Sequence, residues 1–286
     1  MLWDKNYRVN FSRLLMVSYL ELKRILKNTS YIAEIDVTSK CNLSCNHCFY
    51  FKNPEYVPVT ELSLEEWEAK LKEIYKNGIR RLCIVGGEPS LKIEVLRLAN
   101  NIFPYIDICS NGLIRIPEEI NHRIFISIDG TDAYNKQYRG REILKKISEN
   151  YYNDKRVVVL MTLNNLNYKD MGYVAEFAFR NKLQSLVFSL FTPMNSDEEL
   201  YFDDASRKNI INAIIEAKKK YPALIKMNKF SLNWYASSNH KNKCYWRDKV
   251  KHYNSLMQER QACLNMDCSN CGYFSGSNIA PMNSLY

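Results

Sequence analysis

Between residues 31 and 221, short apolar runs rich in Ile and Val alternate with stretches of helical period. The runs cover 32–37, 80–85, 106–109, 123–128, 157–163 and 186–191. The helical stretches cover 62–77, 93–102, 143–151, 170–181 and 206–221. Ser63 stands where an N-cap belongs before Leu64-Glu65-Glu66, and Gly78 where the same helix should stop. About six βα units in succession imply an α/β chain with a parallel sheet and helices outside it. Six units fall short of the eight that close a barrel, so the pattern predicts an open, partial (βα)6 barrel of parallel strands. It also divides the chain: an amphipathic helix within 1–30, the barrel over 31–225, and a small cysteine-rich appendage over 226–286. In the first segment, Phe11, Leu14, Leu15, Leu22, Ile25 and Leu26 form an apolar stripe. The stripe reads as a helix covering the core, with a membrane-surface or partner-binding helix as the alternative.

In sheets of this kind ligands bind at the C-terminal ends of the strands, and there the polar motifs collect. The first strand runs into Cys41-Asn42-Leu43-Ser44-Cys45-Asn46-His47-Cys48. Three thiolates on one short loop can ligate three irons of a cubane and leave the fourth without a protein ligand. A structural zinc loop would need a fourth ligand, and His47 is awkwardly placed between two thiols to serve. Later strands end at Gly86-Gly87-Glu88-Pro89, Ser110-Asn111-Gly112, Asp129-Gly130, Asn164-Asn165 and Thr192-Pro193.

A second constellation lies in the appendage, where Cys244, Cys263, Cys268 and Cys271 could close a 4Fe–4S or a zinc site. Nine clustered cysteines with no visible export signal argue for metal binding in a reducing, cytoplasmic compartment. Cys83 and Cys109 fall inside strands and read as small core hydrophobes. No apolar run approaches the length of a membrane span. The net charge of +9 reads as a lysine-rich solvated surface, and no nucleic-acid-binding motif accompanies it.

Over roughly residues 31–195 the sequence resembles the radical S-adenosylmethionine (SAM) superfamily. The resemblance rests on Cys41, Cys45 and Cys48, on Gly86-Gly87-Glu88-Pro89, and on Ser127, Ile128 and Asp129. It implies a 4Fe–4S cluster whose open iron binds SAM, and reductive cleavage of SAM to a 5′-deoxyadenosyl radical that attacks an organic substrate. Under it, Gly86 and Gly87 let backbone approach the ligand and Glu88 accepts from the SAM ammonium. Ser110, Asn111, Ser127 and Asp129 reach the SAM carboxylate or ribose, Arg139 pairs with the carboxylate, and Asn164 meets the adenine or ribose. The tail is loosely similar to the SPASM and twitch extensions of peptide-modifying members, which implies an auxiliary 4Fe–4S cluster and a peptide substrate. It is also similar to the C-terminus of hopanoid-adenosylating members, which implies a lipid or isoprenoid substrate and leaves a peripheral membrane contact open. Either branch needs a low-potential electron donor such as flavodoxin or ferredoxin. The contrasting expectation is a zinc or iron–sulfur module without catalysis.

Overall fold

The computed structural model describes residues 11–27, 29–51, 60–192, 198–227, 232 and 245–263. Its centre is one all-parallel sheet of seven strands: β1 Ile32–Asp36, β2 Arg81–Val85, β3 Tyr105–Ser110, β4 Arg123–Ser127, β5 Val157–Leu163, β6 Ser185–Leu190 and β7 Lys251–Tyr253. Their order is β6-β5-β4-β3-β2-β1-β7, an open sheet rather than a closed barrel. The helices are α1 Phe11–Lys27, α2 Leu64–Lys76, α3 Ile93–Ile102, α4 Asp132–Arg139, α5 Leu144–Tyr151, α6 Met171–Arg180, α7 Asp204–Lys220 and α8 Tyr245–Lys249. One face of the sheet packs on helices through alternate strand residues. Leu82 and Ile84 of β2 meet Trp67 and Leu71 of α2 and Leu96 of α3 in one buried core. Ser63 caps α2 with the reciprocal capping box its sequence announces: its side chain accepts from Glu66 N, and Glu66 accepts from Ser63 N.

Two elements lack an apolar signature in the sequence. Helix α4 is short and polar, framed by Thr131, whose side chain accepts from Tyr134 N, and by Gly140 in the left-handed conformation (φ 84°). Strand β7 comes from the region read as an appendage and adds a seventh strand beside β1. The six-strand expectation is therefore extended, and residues after 244 contribute to the sheet itself.

The other face of the sheet carries buried charges among its apolar residues. Glu34 sits between Cys83 on one side and His252 on the other, and Cys83 sits beside Asp107, which faces Arg123. Asp107 accepts from Arg81 Nε at 3.0 Å and Arg123 Nε at 2.7 Å. Burial alone would raise its carboxyl, but the two guanidiniums outweigh burial and hold it well below the usual range. At the β7 edge, Glu34 accepts from Trp246 Nε1 at 3.0 Å and Arg260 at 2.9 Å, and lies 3.1 Å from His252 Nδ1. Arg260 also grips Asp36 with two bonds of 2.8 Å. A strand with no apolar run is thus seated by buried charges that neutralise one another.

Helix α1 departs from expectation. Leu20 packs with Tyr31, Ile32, Cys83, Trp246 and Val250, yet Leu15, Leu22, Ile25 and Leu26 of the apolar stripe face solvent. These four side chains do not cover the core, because the helix docks through Leu20 on another side; the side chains of Phe11 and Leu14 lie outside the described residues.

Candidate functional site

The cysteine loop leaves the C-terminal end of β1 and is held first by backbone. Gly87 N donates to Thr38 O and Glu88 N to Lys40 O, both at 2.8 Å. A Cβ at Gly87 would lie 2.1 Å from Lys40 O, and one at Gly86 (φ 109°) would lie 2.6 Å from Thr38 O. The paired glycines therefore admit the base of the cysteine loop.

Side chains add a second tie. Glu88, 1% exposed, accepts from Ser90 N at 2.9 Å, Ser110 Oγ at 2.8 Å and Asn111 N at 2.8 Å. Asn111 Nδ2 then donates to Asn42 Oδ1 at 2.7 Å. A chain of hydrogen bonds thus runs from the end of β2 through β3 into the cysteine loop. The third tie comes from α4, where Tyr138 O accepts from Asn46 N at 2.8 Å. Cys45 Sγ lies 4.0 Å from Arg139 O.

Cys41, Cys45 and Cys48 are free thiols, each partly buried. Burial pushes the Cys41 thiol up. It pushes Cys45 up to about 11, against the opposing pull of Arg139. Uncharged thiols are what a half-dry loop favours until a metal compensates the thiolates.

Beside the loop lies a buried triangle. Asp129, 1% exposed, pairs with Arg139 at 2.5 Å and His47 Nε2 at 3.1 Å, and accepts from Thr162 N at 3.1 Å. Burial would raise Asp129, but Arg139 and His47 more than reverse it. The triangle leaves two buried nitrogens without a protein partner, His47 Nδ1 and Arg139 Nε.

The structure thus gathers Gly86, Gly87, Glu88, Ser110, Asn111, Asp129 and Arg139 around the cysteine loop. Several of them spend their bonds on the protein. Asn164 is 1% exposed, donates to Tyr134 Oη at 2.7 Å and accepts from Leu166 N and Asn167 N, holding its own turn. Ser127 ends β4, partly buried, opposite Leu160. Cys263 is partly buried three residues beyond Arg260, whereas Cys244, Cys268 and Cys271 lie outside the described residues. Asn42 is a site residue the sequence reading passed over, although its place between two ligand-type cysteines was a signal. His47, weighed as an awkward zinc ligand, turns instead to Asp129.

Among the described residues, no three His, Cys, Asp or Glu side chains converge as a single metal ion requires. A cubane makes a different demand, one thiolate on each of three irons. A model of the radical SAM superfamily matches residues 35–178, half of the chain. The chain belongs to the radical SAM superfamily. Membership implies SAM and a 4Fe–4S cluster. The residues present fit both: three thiols share one braced loop, and two orphaned buried nitrogens beside it lack the polar partner a cofactor would bring.

Among curated radical SAM relatives, the sporulation killing factor maturation protein SkfB of Bacillus subtilis is 31% identical over 160 residues, 50% of this chain and 38% of that protein. A probable GTP 3′,8-cyclase of Methanopyrus kandleri is 30% identical over 117 residues, 37% of this chain and 38% of that protein. The chain thus spans under two fifths of the length of either. Among solved structures, Streptococcus suis SuiB bound to precursor peptide SuiA matches with a TM-score of 0.66 at 15% identity, covering 92% of this chain and 67% of that one. Native anSMEcpe with bound AdoMet matches with a TM-score of 0.63 at 13% identity, covering 86% and 80%. These two share the fold.

Proposed function

We propose that this chain is a radical SAM enzyme that modifies a peptide. The observation that carries the proposal is the seat of the cysteine loop: three free thiols braced by Gly87, Glu88 and Asn111 at the ends of parallel strands. A 4Fe–4S cluster with SAM on its open iron would supply one-electron reductive cleavage of SAM to methionine and a 5′-deoxyadenosyl radical, with the electron drawn from a donor such as flavodoxin or ferredoxin. Cys41, Cys45 and Cys48 would each hold one iron. The Asn111–Asn42 bond fixes the loop between the first two thiols. His47 Nε2 lies 3.1 Å from Asp129, and the buried His47 Nδ1 and the donor Arg139 Nε have no protein partner, so both would be available to a polar cofactor. Asp129 balances the Arg139 charge, so an anionic group there would meet the Arg139 Nε donor without a bare buried cation. Gly86, Ser110, Ser127 and Asn164 complete the proposed cofactor wall.

The peptide branch is supported by SkfB, a maturation protein, and by SuiB, solved with a precursor peptide. The proposed auxiliary 4Fe–4S cluster would use Cys244, Cys263, Cys268 and Cys271. In its favour, Arg260, three residues before Cys263, is anchored to Asp36 at the end of β1 that leads into the cysteine loop.

The test is anaerobic reconstitution with iron and sulfide, followed by SAM and a strong reductant. 5′-Deoxyadenosine is expected from wild type and not from Cys45→Ala. A wild type that binds iron yet yields none sinks the proposal. About eight irons per chain supports the auxiliary cluster, and about four removes it.

A further inference from the structure

Helix α1 presents five large apolar side chains to solvent. Leu15 is 55% exposed, Tyr19 61%, Leu22 56%, Ile25 65% and Leu26 76%. Leu15, Tyr19, Leu22 and Leu26 follow one another at steps of four, three and four, so they form a line along the helix. Ile25 widens that line to about a third of the circumference, broader than the a/d seam of a coiled coil. The same helix carries Arg13, Lys23, Arg24 and Lys27 against a single acid, Glu21, and Lys23 lies beside the Tyr19 edge of the stripe.

We propose that this face of α1 lies in an anionic membrane surface. A helix with a wide apolar face and a net positive charge inserts to the level of the acyl boundary, and Lys23 at the edge of that face is placed to meet lipid phosphates. Tyr19 suits that depth, with an apolar ring and a polar hydroxyl. Charge separates this occupant from a second copy of the chain: pairing two α1 faces would bring together two chains of net charge +9, whereas anionic lipid supplies the opposite sign. No helix among the described residues is long and apolar enough to cross a membrane, so α1 lies flat. Its buried side packs through Leu20 on Tyr31 and Ile32, where β1 begins, and on Val250, where β7 begins. The cysteine loop is at the other end of those strands. Membrane contact through α1 therefore leaves the candidate site facing the aqueous phase, open to a dissolved peptide rather than to bilayer lipid.

The test is co-sedimentation of the full chain with phosphatidylcholine vesicles, with and without phosphatidylglycerol. Binding should be about tenfold tighter with phosphatidylglycerol and should weaken with salt. The double variant Leu22→Glu/Leu26→Glu, at exposed positions and checked for folding by circular dichroism, should lose about tenfold or more. Lys23→Glu/Lys27→Glu should lose the phosphatidylglycerol preference. Absence of vesicle binding, binding unchanged in the leucine variant, or a dimer that the leucine variant splits without any vesicle binding would each overturn the proposal. Both variants keep the thiols and their braces, so 5′-deoxyadenosine yield without lipid reports on the proposed function separately.

Discussion

The cysteine loop and the C-terminal segment meet at the same end of β1 but are held by different physics. The loop rests on backbone bonds from Gly87 and Glu88, at a separation that admits no side chain. The segment rests on side-chain charge: Arg260 on Asp36 and Glu34, with His252 and Trp246 closing around Glu34. The backbone bonds of the first are a steric fit and involve no titratable group. The second is a balance of buried ions, in which removing one partner strands the others.

Breaking the ionic balance should have the largest effect. Arg260→Ala leaves Glu34 and Asp36 buried without their cation and should cost about 3–5 kcal/mol in urea unfolding. In a chain that still folds, the iron bound by Cys41, Cys45 and Cys48 should remain, because the backbone seat is untouched. Gly87→Ala is the reciprocal case. It forces Lys40 O aside, costs about 3 kcal/mol, and should abolish iron binding at the cysteine loop even under conditions where circular dichroism reports folded protein. Equal iron loss in both variants would erase the distinction.

Acid sharpens it further. Burial would raise the Glu34 carboxyl, but the bonds and charges of His252 and Arg260 reverse this and leave it below 4.5. Its stabilising contribution is full above that ordinary value and drains away as pH falls through the lowered one. Asp36 is shifted the other way, raised chiefly by burial, so its ionisation opposes folding and partly offsets Glu34. Urea midpoints measured downward from pH 6 should fall below pH 4.5, and Glu34→Gln should flatten that fall. The smallest effect belongs to a site in neither region. Ser63→Ala removes the α2 cap and should cost about 1 kcal/mol, leaving iron content and acid response unchanged.

The sequence was legible wherever a signal was periodic or covalently local. The six longer strands follow from their β-branched runs, and α2 from Ser63. The CxxxCxxC spacing marked the site before any fold was known. Helix α4 escaped because Thr131 and Gly140 frame a segment with little apolar content. Strand β7 escaped because Lys-His-Tyr has no strand pattern of its own; Glu34, 218 residues away, supplies the reason for His252 to be buried. The apolar stripe of α1 was visible, but which side the protein covers depends on where Leu20 docks. Glu88, Asp129 and Asn164 were placed correctly at strand ends, whereas their partners Asn111, Arg139 and Tyr134 depend on tertiary geometry.

The parallel pairing of β7 with β1 also sets an order of events during synthesis. Strand β1 leaves the ribosome before the strand that covers its edge, with Glu34 218 residues ahead of His252. At roughly 5–20 residues per second, their separation leaves that edge unpaired for on the order of 10–40 s. For that interval the nascent chain carries an open row of backbone donors and acceptors, with Glu34 and Asp36 still awaiting Arg260. Two carboxylates held in water at a bare strand edge discourage pairing with the wrong neighbour, so the residues that later secure β7 also guard its place until it arrives.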